Sequence, residues 1–109
     1  MCKFYSNADP IDYESRTRSM RIHGVLTSIR LENFFWDILG KMAKEENLTT
    51  NGLIIEFHNE ILKNNGDVIN FTSFLRVTCM RWMELKATDP ERNFTSAEKS
   101  KNVIQENLH

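Results

Sequence analysis

Counted by twos, Val25, Thr27, Ile29 and Leu31 fall on one side of an extended chain, and Leu26, Ser28 and Arg30 fall on the other. The alternation predicts a short strand from about Arg21 to Leu31 with its first set turned to a core, and Gly24 marks a bulge or bend. Past Leu31 the period changes. Phe35, Trp36, Leu39, Met42 and Ala43 recur at helical spacing, so Glu32 or Asn33 opens a helix that runs to about Glu46. Phe34 and Ile38 widen its apolar surface beyond one stripe, which requires cover from the N-terminal arm or a third helix. Asn47 suits the left-handed residue that ends a helix, and Thr49 suits the cap of a second one with apolar positions Leu53, Ile54, Phe57 and Ile61. Asn64-Asn65-Gly66-Asp67 is a stop signal. From about Val68 to Lys86 a third amphipathic segment places Phe71, Phe74, Leu75, Thr78, Cys79 and Trp82 on overlapping helical faces.

Outside this pattern the chain turns polar. Asp9-Pro10 signals a turn and Ser15-Arg16-Thr17-Arg18-Ser19 reads as a basic stretch of an irregular arm, with Phe4, Tyr5, Ile11 and Tyr13 packing part of it on the body. Beyond Asp89-Pro90, Thr95 and Glu98 form a capping box for a short final helix. The expected organisation is an arm over 1–20, a mainly helical domain over 21–87 and a polar tail over 88–109. A chain of 109 residues supports one modest core, and four Gly and two Pro argue against a turn-rich β sandwich.

Net charge is −1, which argues against a uniformly basic nucleic-acid binder, but the charge is unevenly placed. Residues 15–30 carry Arg16, Arg18, Arg21 and Arg30 with no acid, a local +4, whereas residues 31–64 set three Lys against six acids. Two copies side by side would double that local field without making the protein basic.

Other chemistry is sparse. Cys2 and Cys79 match neither a metal-ligand spacing nor a redox CxxC, and Cys79 beside Trp82 and Met83 reads as core. His23, His58 and His109 show no ligand spacing, so no metal and no cofactor is expected. A nucleophile elbow, a phosphate-cradling glycine loop and His-Glu-x-x-His are all missing, and Glu45-Glu46 reads as a solvated helix end, so an enzyme has no positive support. The start lacks a signal-peptide core and no apolar run approaches the ~20 residues of a bilayer span, which leads to the expectation of a soluble cytoplasmic protein with no membrane partner.

From Val25 to about Lys63 the order of elements, a strand ending in Ile29-Arg30-Leu31, an aromatic-rich helix, the turn Asn47-Leu48-Thr49-Thr50-Asn51 and a second helix, resembles a ribbon-helix-helix domain. A narrower likeness rests on Met1-Cys2, Asp9-Pro10, Tyr13, Thr17-Arg18-Ser19, Arg21, Gly24, Thr27 through Glu32, Phe35-Trp36, and Asn70-Phe71 with Ser73 and Leu75-Arg76. Over about residues 1–85 these look like a bacterial and phage group of uncharacterised ribbon-helix-helix proteins with an N-terminal arm and an added third helix.

The resemblance implies one short strand, pairing antiparallel across a homodimer, followed by three helices, because a lone strand cannot satisfy its own backbone groups. It implies a repressor or autoregulator that sets its β-ribbon in the major groove of double-stranded DNA, as Arc and MetJ do. By position, Leu26, Ser28 and Arg30 would read bases. Arg30 either forks to guanine or pairs with an acid such as Glu32, and Leu26 either touches a thymine methyl or meets protein. Thr49, Thr50 and Asn51 at the helix start would contact phosphate or serve only as a cap, and Arg16, Arg18 and Arg21 would track the backbone or stay solvated. The implied dimer core is Ile29, Leu31, Phe35, Leu39, Met42, Leu53, Ile54 and Phe57. The competing class is a dimeric module that binds another protein through the Phe34/Ile38 surface, the arm or the third helix, as an antitoxin-like or phage regulatory subunit would.

Overall fold

The computed structural model describes residues 7–88, so the expected capping box at Thr95 and Glu98, and with it the whole tail beyond 88, lies outside the described residues, as do Cys2, Phe4 and Tyr5. In chain order the elements are α1 (Pro10–Tyr13), β1 (Ser15–Ile22), β2 (Val25–Glu32), α2 (Asn33–Glu45), α3 (Thr50–Asn65) and α4 (Phe71–Thr88).

The expected strand is therefore not alone. Residues 15–20, read as irregular arm, belong to β1, which pairs antiparallel with β2 from Ser15↔Glu32 to Ile22↔Val25. What looked like a bend at Gly24 is a two-residue hairpin turn, with His23 at φ 53° and Gly24 at φ 79°. Two successive positive φ values define the turn whose twist matches that of the strands, and glycine takes such a value without a Cβ penalty. One edge of β2 is satisfied within the chain, and only the other is left open.

The strand was hidden because its inner face is not uniformly apolar. Met20 and Ile22 are buried, but Arg16 and Arg18 share that face. The Arg18 guanidinium lies 4.6 Å from the Trp36 ring centre, and the Trp36 indole N–H donates to the Arg16 carbonyl at 2.9 Å. A cation spread over an indole acts as both lid and partner. On β2, Ile29 and Leu31 are buried as the alternation requires, while Val25, expected in the core, is 65% exposed near the hairpin tip.

The helices follow their caps. Past α2, Asn47 takes φ 58°, its N–H donates to the Lys44 carbonyl at 3.2 Å, and the Leu48 N–H donates to the Ala43 carbonyl at 2.9 Å. This paired arrangement satisfies carbonyls that the helix end would otherwise orphan. Thr49 caps α3 by accepting from the Gly52 N–H at 3.0 Å, and Gly66 closes it in the left-handed region. α4 begins at Phe71, later than the expected Val68, because Asn70 adopts φ 54° and its carbonyl takes the first helical bond, from the Phe74 N–H at 3.0 Å.

One core forms beneath the hairpin. Leu31, Trp36, Leu39, Ile54, Leu75 and Cys79 are its most deeply buried large side chains, joined by Met20, Ile22, Ile38 and Leu53. α1 and α4 both pack on α2, and α4 also reaches β2. Ile38 is thereby buried inside the chain, and Phe34 is half-buried with its ring edge-on to Phe35.

Candidate nucleic-acid interface

The register sorts the hairpin into two faces. Cross-strand partners share a face, so Thr17, Ser19 and Arg21 stand beside Arg30, Ser28 and Leu26, all turned away from the helices and all exposed. The Ser19 and Ser28 hydroxyls lie 3.2 Å apart at its centre. Arg21 donates from Nη1 to the Gly24 carbonyl at 3.3 Å, so its guanidinium is held at the tip. Arg30, four residues along β2 from Leu26, places a second positive charge about 13 Å away. No acid occurs between Ser15 and Leu31. Glu14 and Glu32 flank this stretch; Glu32 is engaged by Arg76 of α4 through contacts of 2.9 and 3.3 Å, and that hydrogen-bonded guanidinium, helped by Arg30, holds its carboxyl below the usual range.

Of the other site candidates, Arg16 and Arg18 occupy the helix side of β1, and Arg18 lies on Trp36. The three arginines of the basic run therefore do not form one surface. At the start of α3, Thr49 and Asn51 are exposed and Thr50 is half-buried, with no acidic side chain in the first turn. The hairpin tip docks elsewhere on that helix. His23 Nε2 and Asn59 Oδ1 are 2.6 Å apart, roughly 12 Å along the axis from Asn51. Six of the eight residues expected in the dimer core, Ile29, Leu31, Leu39, Met42, Leu53 and Ile54, are buried within a single chain, while Phe35 and Phe57 pack on the core half-exposed.

The alternation in β2 pointed to Leu26, Ser28 and Arg30, but Thr17 and Ser19 went unnoticed. The signal for them was the two-residue spacer His23-Gly24, which fixes a register and sets Thr17 opposite Arg30. A second unnoticed feature lies behind the tip. The His58 ring sits 5.8 Å from that of His23 and edge-on to Phe71 at 5.3 Å, with its Nδ1 buried and unpartnered among the described residues. Burial, and next the charge of His23, push its pKa down. Among the described residues no group of three or more His, Cys, Asp or Glu is placed to hold a metal, and no helix is long and apolar enough to cross a membrane.

A strand with an outward cationic face, β2, followed at once by two helices joined through a capped turn, is the ribbon-helix-helix plan, here with β1 paired to that strand within the chain. The chain belongs to that family: residues 15–83 match the family's ribbon-helix-helix domain model, from the first residue of β1 into α4. It is similar along its length to a solved structure, an uncharacterized protein from Bordetella pertussis Tohama I, with 33% identity, a TM-score of 0.84, and 99% of this chain and 92% of that one covered. No curated protein matches. Ribbon-helix-helix proteins are typically dimeric DNA-binding transcription regulators or antitoxins and are generally not enzymes.

Proposed function

We propose that the protein is a homodimeric, cytoplasmic DNA-binding regulator that lays the outward face of its β hairpin in the major groove of double-stranded DNA. The observation that carries this reading is the acid-free face formed by Thr17, Ser19, Arg21, Ser28 and Arg30. A groove about 12 Å wide admits a two-stranded ribbon. Arg30 presents its guanidinium fork to a guanine, the central serines donate or accept with almost any base, and Leu26 offers a methyl contact to thymine. Arg21 and Thr17, together with the helix start at Thr49, Thr50 and Asn51, fix the protein against phosphates. Arg16 is exposed at the open end of the hairpin and adds to the field, whereas Arg18 leaves the contact set for Trp36.

The test is Arg30→Ala. Its circular dichroism should match that of the wild type, while binding to the preferred site falls by about 1–3 kcal/mol. A folded Arg30→Ala protein that binds as the wild type does would remove Arg30 from the reading set. One observation supports a second reading, a protein-binding module: Val77 and Met80 on α4 are 57% and 55% exposed and about one turn apart. Binding through such a face would barely respond to salt.

A further inference from the structure

The hairpin is seated on the helices at both ends. At its open end the Trp36 indole N–H donates to the Arg16 carbonyl at 2.9 Å, and at its tip His23 Nε2 lies 2.6 Å from Asn59 Oδ1 on α3. An amide carbonyl oxygen only accepts, so Nε2 carries the proton and His23 is the donor. The carbonyl of Gly24, the other residue of the turn, accepts from Arg21 Nη1 at 3.3 Å. The tip contact and the outward guanidinium are thus joined through one turn. Behind it, His58 has no such partner. Its ring lies 5.8 Å from that of His23 and 5.3 Å from that of Phe71, and its buried Nδ1 has no hydrogen-bond partner among the described residues. Its helical neighbours at three and four residues are Ile54, Ile55, Ile61 and Leu62, all apolar.

We propose that His23 and Asn59 form a latch that docks the hairpin tip on α3, positions Arg21 for phosphate, and opens when His58 takes up a proton. This rests on the DNA-binding reading and supplies a regulation for the same face. An imidazolium carries an N–H on both ring nitrogens, so a protonated His58 buries a donor that has no acceptor, whichever neutral tautomer it starts from. It also sets a charge beside His23. The charged groups around the pair are Arg21 on the hairpin, and Glu56 and Lys63 on α3, three and four residues from Asn59. Glu56 is two residues from His58 and does not share its side of the helix, α4 presents the uncharged Phe71, and among the described residues no ion pair involves either ring. The docked tip therefore favours neutral His58. Docking is complete above the ordinary histidine value of ~6.5 and declines as pH falls from there toward the lowered value of the docked ring. Ile22, 3% exposed, keeps the strands on the core, so release frees only the turn and the guanidinium it holds.

Two measurements on the full chain test the latch. The first follows the Gly24 backbone amide and the Asn59 side-chain amide by nitrogen–proton correlation spectroscopy between about pH 7.5 and about pH 5.5, across the histidine range. Both signals should move with one midpoint, and His58→Gln should remove most of that movement. The second is affinity for random-sequence duplex over the same range at fixed salt. A simple gain of positive charge on two histidines would tighten binding in acid. The latch predicts the reverse, a loss of about 2- to 10-fold, the worth of one hydrogen bond. Asn59 is exposed, so Asn59→Leu should fold, show that loss already at neutral pH and fall no further in acid. Asn59→Asp, whose carboxylate holds a charged His23, should keep neutral-pH affinity in acid. In an Arg21→Ala background Asn59→Leu should cost nothing more, because both act on one contact. Tip signals that stay fixed as pH falls, or an equal loss from Asn59→Leu with and without Arg21, would overturn the latch. Tip signals that move as described in a protein that ignores duplex at neutral pH would leave the docking in place and overturn the DNA-binding reading alone.

Discussion

His58 shows how much one side chain can impose on the molecule. Its ring is wedged between His23 and Phe71 with Nδ1 buried, so the folded protein favours the neutral imidazole and its pKa is lowered. Below the ordinary histidine value of ~6.5 the unfolded chain takes up the proton first, and stability falls with falling pH until the folded value is passed. We expect urea midpoints to be constant above about pH 6.5 and to decline below it, and His58→Gln to flatten that decline. His23 is the titratable neighbour across the pair, so His23→Gln should reduce the slope but leave part of it. The lowered carboxyl of Glu32 adds a separate acid limb: its contribution is present above the usual carboxylate value of ~4.3 and is lost below it. An unchanged slope in His58→Gln would mean that the buried imidazole is not what titrates.

At the scale of elements, the strand faces and the turn make sharp predictions. Ile29 is 2% exposed and Leu26 is 63% exposed, one on each side of β2. Ile29→Asp should lose its helical circular dichroism, since a buried, unpaired carboxylate costs several kcal/mol, whereas Leu26→Asp should remain folded. Equal behaviour of the two would contradict the face assignment. Gly24→Ala meets nothing within 4 Å but must hold φ near 79°, so it should cost about 1–2 kcal/mol in denaturant titration. Gly40 sits inside α2, where an added Cβ would lie 3.8 Å from Thr50 Oγ1, an ordinary contact, so Gly40→Ala should stabilise by ~0.5–1 kcal/mol.

These elements were unequally legible. α2 and α3 could be read to within a residue or two because Asn47, Thr49 and Gly66 mark their ends by local chemistry. β1 was not legible by hydrophobic alternation because two of its inward positions are arginines, and what makes Arg18 an inward residue is Trp36, 18 positions later in the chain. The outward placement of Leu26, Ser28 and Arg30 follows from a period of two alone, but their neighbours Thr17 and Ser19 required the pairing register. The contact between the tip and Asn59 has no signature in the sequence, since it depends on how α3 is laid under the hairpin.

For the whole molecule the question is how a chain of net charge −1 could hold a polyanion. Its positive charge between residues 15 and 30 has no acid within that stretch, while the acids lie outside it, with Glu32 tied to Arg76 and Glu45 to Lys86. Such a protein should bind DNA through few but well-placed contacts, so its affinity should depend on salt with a slope set by those contacts and not by net charge. The most direct measurement is a salt titration of the wild type against random-sequence duplex, with Arg18→Ala, Arg21→Ala and Arg30→Ala in parallel. We expect a steep loss of affinity with salt, a slope flatter by about one unit for Arg21→Ala, and an unchanged slope for Arg18→Ala, whose guanidinium belongs to Trp36. Arg30→Ala should bind random sequence nearly as well and lose discrimination among sequences. No detectable binding at low salt would contradict the account of the hairpin as a DNA-facing ribbon.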